Sequence, residues 1–462
     1  MPSHITTINP KNGSLLKTYP HMSDGEVRHV LDESRRAGAS WRQLAVDTRL
    51  GLVAALAERL IAQAPRLGRL ATEEMGKPLA QAIKEVEKCA VACRYYVEHA
   101  ARFLADEPVA TGAVKSYITY RPLGPVLCIM PWNFPYWQVI RFAVPALVAG
   151  NTVILKHAEN VTGVALEIGG LLAHAGFPDG VFQVLRLEHK RLQDVIQDDL
   201  VQAVSLTGSD RAGRAVAAAA GASLKKVVLE LGGSDPYIVL RDADIEHAAS
   251  VCLDARLVNG GQSCVAAKRF IIEDAVYDRF VEAFVAKART KTVGDPLAPT
   301  TDVGPLAKLG IRDDVARQVA ASTAMGARIL LGGATPEGAG CYYPVTVLDG
   351  VAAGMPAFDE EVFGPVAALV RAKDCETALA LANRSRFGLG GAIFSADVQR
   401  AEELAAQRLD VGMVAINGMV QSDPRLPFGG VRQSGYGREL SWVGLREFVN
   451  VKTIVVNESP RT

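Results

Sequence analysis

Neither sign of charge is in excess: the 462-residue chain has 50 Lys and Arg against 50 Asp and Glu. A polyanionic partner such as nucleic acid therefore gains nothing from long-range electrostatics. No apolar run of about 18 residues occurs, so no segment is expected to span a membrane. The opening stretch, MPSHITTINPKNGSLL, lacks the basic and apolar regions of a signal peptide. Cysteine is sparse and odd in number: seven, at 89, 93, 128, 252, 264, 341 and 375. Such a scattered set suits reduced thiols in a cytoplasm better than a disulfide framework. Cys89 and Cys93 lie one helical turn apart without further soft ligands nearby, so packing is expected there and no metal. All eight histidines fall at or before His247, and none forms a local motif with a cysteine. The G-x-G-x-x-G fingerprint is also missing, so periodicity alone names no dinucleotide.

What is present is a globular composition, 49% hydrophobic and 22% charged, in a chain long enough for two or three domains. The first hundred residues read as helices. Ser23 and Glu26 have capping-box spacing, and residues 79–104 form a long amphipathic pattern. PVLCIM (125–130) then reads as a strand buried on both faces. Strand and helix patterns alternate through NTVILK, GVFQVL, VQAVSL and KKVVLEL, and a second series starts near residue 236 with PYIVL, KRFIIE and GPVAALV. Repeated βα units predict α/β architecture: two doubly wound parallel sheets. The β-rich patterns near 115–120 and 450–456 are left over.

Three separated stretches carry candidate chemistry. In NGGQSCVAAKRF (259–270), Cys264 sits among small residues, a setting that suits close approach by another molecule. In VVLELGGSDP, Glu230 ends an apolar strand, where ligand crevices of open α/β sheets lie. Leu229 and Leu231 should desolvate its carboxyl and raise its pKa toward general-base work. In IMPWNFPYW (129–137), prolines and aromatics surround Asn133, whose amide is a neutral donor suited to an oxyanion. Taken singly, Glu230 reads more readily as an exposed strand-end glutamate, and Asn133 reads as well as part of a packed aromatic corner. Together they supply a nucleophile, a base and an oxyanion donor, the requirements of acyl chemistry through a thioester.

PWNFP, LELGGSDP, GGQSC, EEVFGPV (360–366) and PFGGVRQSGYGRE (427–439) occur in the order and approximate spacing of the aldehyde dehydrogenase superfamily, which the chain resembles from about residue 7 to 456. The resemblance implies a Rossmann-like cofactor domain (1–113 and 123–231), a catalytic domain (232–444) and bridging segments (114–122 and 445–462) that pair subunits into a homodimer or homotetramer. It implies that Cys264 attacks an aldehyde carbon, that Asn133 and the Cys264 backbone N–H hold the oxyanion, that hydride passes to a nicotinamide, and that Glu230 activates water to hydrolyse the thioester.

For the cofactor, the resemblance implicates Ile129, Pro131, Trp132, Lys156, Glu159, Gly208, Ser209, Leu231, Glu361 and Phe363. Gly208 and Ser209 would meet the pyrophosphate at a helix N-terminus. Lys156 and Glu159 would hold the adenosine ribose, and Glu361 and Phe363 the nicotinamide ribose and ring. A carboxylate at 159 should repel a 2′-phosphate, so NAD is expected first, with NADP as the alternative. His157 and the stretch LRLEHKRL (185–192) depart from the family pattern.

Arg141 and Ser422 resemble the carboxylate clamp of succinate-semialdehyde dehydrogenases, with Trp137 and Phe428 as tunnel walls. Val258 stands where a further clamp arginine is common, with Arg256 nearby. The alternative for Arg141 is one partner of a structural salt bridge. Succinate semialdehyde is thus the expected substrate, ahead of glutarate semialdehyde and of amino or aliphatic aldehydes. A cofactor-independent cysteine esterase and a non-catalytic relative are the remaining alternatives.

Overall fold

A computed structural model describes residues 4–458. The apolar run Pro125–Met130 is a fully buried strand with parallel neighbours on both sides, Thr152–His157 and Ala203–Thr207. It lies within a six-stranded sheet ordered Gly435–Tyr436, Lys226–Glu230, Ala203–Thr207, Pro125–Met130, Thr152–His157, Phe182–Val184. Strand order reverses at Pro125–Met130, so the crevice of a doubly wound sheet opens between its carboxyl end and that of Ala203–Thr207. PWNFP leaves one lip of this crevice and Gly208–Ser209 the other.

The second α/β series forms a seven-stranded sheet, in order Arg328–Leu331, Thr346–Asp349, Val366–Ala372, Ala267–Glu273, Asp235–Val239, Gly390–Phe394, Met413–Ile416. All its pairings are parallel except the outermost, between Arg328–Leu331 and Thr346–Asp349. Glu230 ends the last parallel strand of the first sheet and Asp235 starts the first strand of the second, so only Leu231–Ser234 connect them. One piece of the later chain crosses back: Gly435 pairs antiparallel with Glu230.

The leftover β segments pair with each other. Lys115–Pro122 runs antiparallel to Val449–Val456 over eight positions, and Glu107–Pro108 adds a short third strand. Val449–Val456 is the sheet's free edge, with Val451, Val455 and Val456 exposed.

One expectation fails. The first hundred residues are not all helical, because His4–Ile8 and Leu15–Pro20 form an antiparallel hairpin. Its alternating burial and the Asn12–Gly13 turn, where Gly13 has φ +75°, are ordinary hairpin signals. The Ser23–Glu26 capping box forms as expected, at the start of the helix Asp24–Trp41. No helix among the described residues is long and apolar enough to cross a membrane. Nor do they contain a cluster of three or more His, Cys, Asp or Glu side chains able to hold a metal ion. Cys89 and Cys93 are buried in the helix Leu79–Phe103.

Candidate active site

Cys264 lines a cavity of about 650 Å³, shared with Phe134, Trp137, Arg141, Ser422 and Phe428. It is the one cysteine of the seven that is not fully buried. The glycines before it serve the backbone. Asn259, Gly260 and Gly261 all have positive φ, and a Cβ on Gly261 would lie 2.1 Å from the carbonyl oxygen of Gly364. The glycines' lack of side chains thus permits a left-handed turn packed against the neighbouring loop.

Asn133 is held against this turn. Its Nδ2 donates to the carbonyl of Gln262 at 3.1 Å, and the Asn259 amide donates to the Asn133 carbonyl at 2.7 Å. One amide hydrogen of Asn133 is thereby used and the second remains. The PWNFP turn itself is pinned by His157. Burial pushes this imidazole down to about 4, so it is neutral. Its Nε2 lies 2.9 Å from the Pro135 carbonyl and its Nδ1 lies 3.1 Å from the Met130 carbonyl and 3.0 Å from Ala158 N, so the ring ties the turn to the strand before it. Glu85 secures the turn's far side: it accepts from the backbone N–H groups of Tyr136 and Trp137 and pairs with the buried ammonium of Lys77.

Glu230 is not among the residues that line the cavity. It is 2% exposed, and neither carboxyl oxygen has a hydrogen-bond partner among the described residues. Burial pushes its pKa well up, and the nearby charge of Glu439 adds to the effect. Its link to Cys264 runs through the connecting loop, where a Cβ on Gly233 would lie 2.8 Å from the Cys264 carbonyl. A Cβ on Gly429 would lie 2.6 Å from Glu230 Oε1, so only glycine fits between this carboxyl and Phe428. Burial pushes the Cys264 thiol up to about 12, against the opposing pull of Arg141 and Lys268. Cys264 therefore rests as a thiol.

Arg141, only 1% exposed, faces the cavity but pairs with the equally buried Glu439. Its Nη2 also lies 3.4 Å from Thr207 Oγ1, and its guanidinium stands 4.6 Å over the Phe428 ring. Arg256 does not line the cavity and donates instead to the Gly261 carbonyl at 2.6 Å. Lys88, which the motifs do not single out, does line it. Its Nζ donates to Ser422 Oγ at 2.7 Å and lies 4.4 Å over the Trp137 ring. In sequence it is one of several charges on an amphipathic helix, with no spacing that ties it to Cys264.

The remaining predicted residues cluster at the carboxyl ends of the first sheet. Ile129 and Lys156 are partners in adjacent strands, and Pro131 and Trp132 follow at the crevice lip. Trp132 makes an edge-on ring contact with Phe363 at 5.7 Å. Ser209 caps the helix Asp210–Ala222 by accepting from Ala212 N, and a methyl group on Gly208 would meet nothing closer than 3.9 Å. Leu231 packs on Gly213 of that helix. Lys156 and Glu159 line a small hollow with Thr162 and Arg186, and among the described residues no carboxylate pairs with the buried Lys156. Glu159 lies 3.9 Å from His21 and 3.8 Å from His189. Glu361 accepts from Gly233 N at 3.0 Å and sits 3.5 Å from Lys268. An unpaired ammonium and a carboxylate at one strand end, with an open capped helix N-terminus beside them, fit the ribose hydroxyls and pyrophosphate of a nicotinamide dinucleotide.

Comparison with known proteins matches residues 2–454 to the aldehyde dehydrogenase family. The chain is 47% identical over 452 residues to the succinate semialdehyde dehydrogenase [NAD(P)+] Sad of Escherichia coli K12, covering 98% of each chain. It is 46% identical over 453 residues to a succinate-semialdehyde dehydrogenase [NADP(+)] of Mycobacterium tuberculosis H37Rv, covering 97% of this chain and 99% of the relative. The crystal structure of succinic semialdehyde dehydrogenase from Streptococcus pyogenes, in complex with NADP+, superposes with a TM-score of 0.96 at 36% identity, over 98% of this chain and all of that one. This chain belongs to the aldehyde dehydrogenase family.

Proposed function

We propose that the protein oxidises succinate semialdehyde to succinate with NAD or NADP as oxidant. The observation that carries this reading is the cavity itself: a thiol and four cationic side chains, Arg141 and Lys88 among them, share one aromatic-walled space. Cys264 Sγ attacks the aldehyde carbon, and its proton passes to a base. The spare N–H of Asn133 and the Cys264 backbone N–H hold the oxygen that becomes negative. When bound, the dinucleotide accepts the hydride that leaves this carbon. The resulting thioester on Cys264 is cleaved by water that gives a proton to Glu230, which releases the carboxylic acid and restores the thiol. Trp137 and Phe428 exclude bulk water, and Arg141 and Ser422 receive the distal carboxylate.

Lys156 would hold the adenosine ribose with Glu159, Gly208 and Ser209 the pyrophosphate, and Glu361 and Phe363 the nicotinamide end, with Ile129, Pro131, Trp132 and Leu231 as apolar walls. Glu159 favours NAD; Arg186 beside it favours a 2′-phosphate, so both cofactors are accepted. The cofactor domain comprises 1–113 and 123–231, the catalytic domain 232–444, and the bridging segments 114–122 and 445–462, of which 1–3 and 459–462 lie outside the described residues. The free apolar edge at Val449–Val456 supports a homodimer or a tetramer of dimers. Seven unpaired cysteines support a cytoplasmic setting.

The test is reduced-cofactor absorbance across succinate semialdehyde, glutarate semialdehyde, butanal and an amino aldehyde. The charged four-carbon aldehyde should give the highest kcat/KM, and Arg141→Ala should raise its KM far more than that of butanal. Equal efficiency for butanal sinks the semialdehyde reading, and turnover without dinucleotide sinks the dehydrogenase reading.

A further inference from the structure

Of the four cationic side chains that line the cavity, Lys84 is exposed and Lys291 lies near Asp254 and Asp302; the other two, Arg141 and Lys88, differ in what neutralises them. Arg141 is in contact with Glu439, so its charge is largely balanced within the protein. Lys88 pairs with no carboxylate among the described residues; its ammonium touches only a hydroxyl oxygen and the face of an indole. Nearby Glu85 is already engaged by Lys77 and by two backbone N–H groups, and Asp423 by Arg425. A half-buried ammonium with three hydrogens, one of them given to Ser422, retains donors and an unbalanced charge. Burying such a group without a counterion is unfavourable, and an incoming anion relieves it.

We propose that Lys88 is a specificity-determining residue for the anionic end of the substrate, the cation whose charge the substrate carboxylate completes. This rests on the proposed oxidation of a carboxylate-bearing aldehyde. Ser422 then acts by fixing the ammonium through its Oγ, and Trp137 by holding it over the ring, so that the charge is presented at one place in the cavity. Arg141 contributes directed N–H groups while its net charge stays with Glu439. The arrangement selects for a carboxylate and against a neutral or cationic tail, since an ammonium-bearing aldehyde would meet an unbalanced like charge.

The experiment compares wild type, Lys88→Met and Lys88→Arg with two aldehydes of equal carbon number, succinate semialdehyde and butanal. The quantity read is the ratio of the two kcat/KM values. Lys88→Met should lower this ratio roughly 10- to 100-fold, the range expected on losing one charge-assisted hydrogen-bonded pair. The loss should appear in KM for the semialdehyde, and Lys88→Arg should restore most of it. Succinate as an inhibitor of butanal oxidation gives a second measure, because its inhibition constant should rise in Lys88→Met by a similar factor. A merely structural role would lower both efficiencies together and leave the ratio intact, which overturns the inference. If wild type prefers the semialdehyde and Lys88→Met keeps that preference, Lys88 alone is excluded. If wild type is indifferent to the carboxylate, the semialdehyde reading and the role of Lys88 fall together.

Discussion

The side-chain amide of Asn133 donates to the Gln262 carbonyl at 3.1 Å across 129 residues of chain, two positions before Cys264. This contact uses one N–H of the amide and leaves the other, which the proposed mechanism assigns to the developing oxyanion. Asn133→Ala should lower kcat about 10²- to 10³-fold, the usual cost of one such donor. Steady-state kinetics checks it, and a loss of only about twofold would remove Asn133 from the oxyanion site.

The Cys264 thiol, pushed up to about 12 by burial, should react slowly with iodoacetamide in the absence of cofactor. Its alkylation rate should climb about tenfold per pH unit between about pH 7 and 9, tracking thiolate fraction. A plateau below about pH 8 would mean that the free enzyme already holds a thiolate.

Glu230 binds its proton well above the ordinary carboxyl range because it is buried and because Glu439 adds negative charge nearby. Its basic form therefore grows as pH rises, and thioester hydrolysis should accelerate with pH. Glu439→Gln removes the neighbouring charge and frees Arg141, and both effects lower the Glu230 pKa. The rising limb of the kcat–pH profile should move toward acid. A move toward alkali would show that Glu439 acts on another group. In Glu230→Gln, stopped-flow mixing should show one reduced cofactor per active site, followed by slow turnover.

The Lys88 ammonium is pushed down to about 8 by burial and by the positive Arg141, against opposing effects of Cys89, Glu85 and Asp423. Lys84, Lys291, Asp254 and Asp302 also border the cavity. Anion binding needs the protonated form, so KM for succinate semialdehyde should rise as pH passes upward through about 8. KM for butanal should lack this rise. In Lys88→Arg, protonated throughout, the rise should vanish.

Glu85 joins the helix Leu79–Phe103 to the PWNFP turn and compensates the buried Lys77. Glu85→Ala leaves that ammonium unpaired and should cost about 3–5 kcal/mol of stability. Thermal unfolding measures it. A double Lys77→Met, Glu85→Met variant should recover part of the loss, because no charge then remains buried.

The alternating βα pattern and the buried run at 125–130 are legible in the sequence, and so are the motifs that mark Cys264, Glu230 and Asn133 as candidates, because strand periodicity and short motifs are local properties. The hairpin at His4–Ile8 and Leu15–Pro20 carries its own local signal, an Asn-Gly turn, but helical periodicity dominates the first hundred residues around it. Lys88 was not legible. A lysine on an amphipathic helix has the same local pattern whether it faces water or a cavity, and Ser422, its partner, lies 334 residues away.

By itself the sequence determined which segments become strands and helices and which side chains are chemically able to act as nucleophile, base and donor. Only the tertiary structure decided which charges are balanced: Arg141 by Glu439, Lys77 by Glu85, Lys88 by none of the described carboxylates. Charge balance depends on distances of a few ångströms between elements far apart in the chain, and on how much water packing leaves between them.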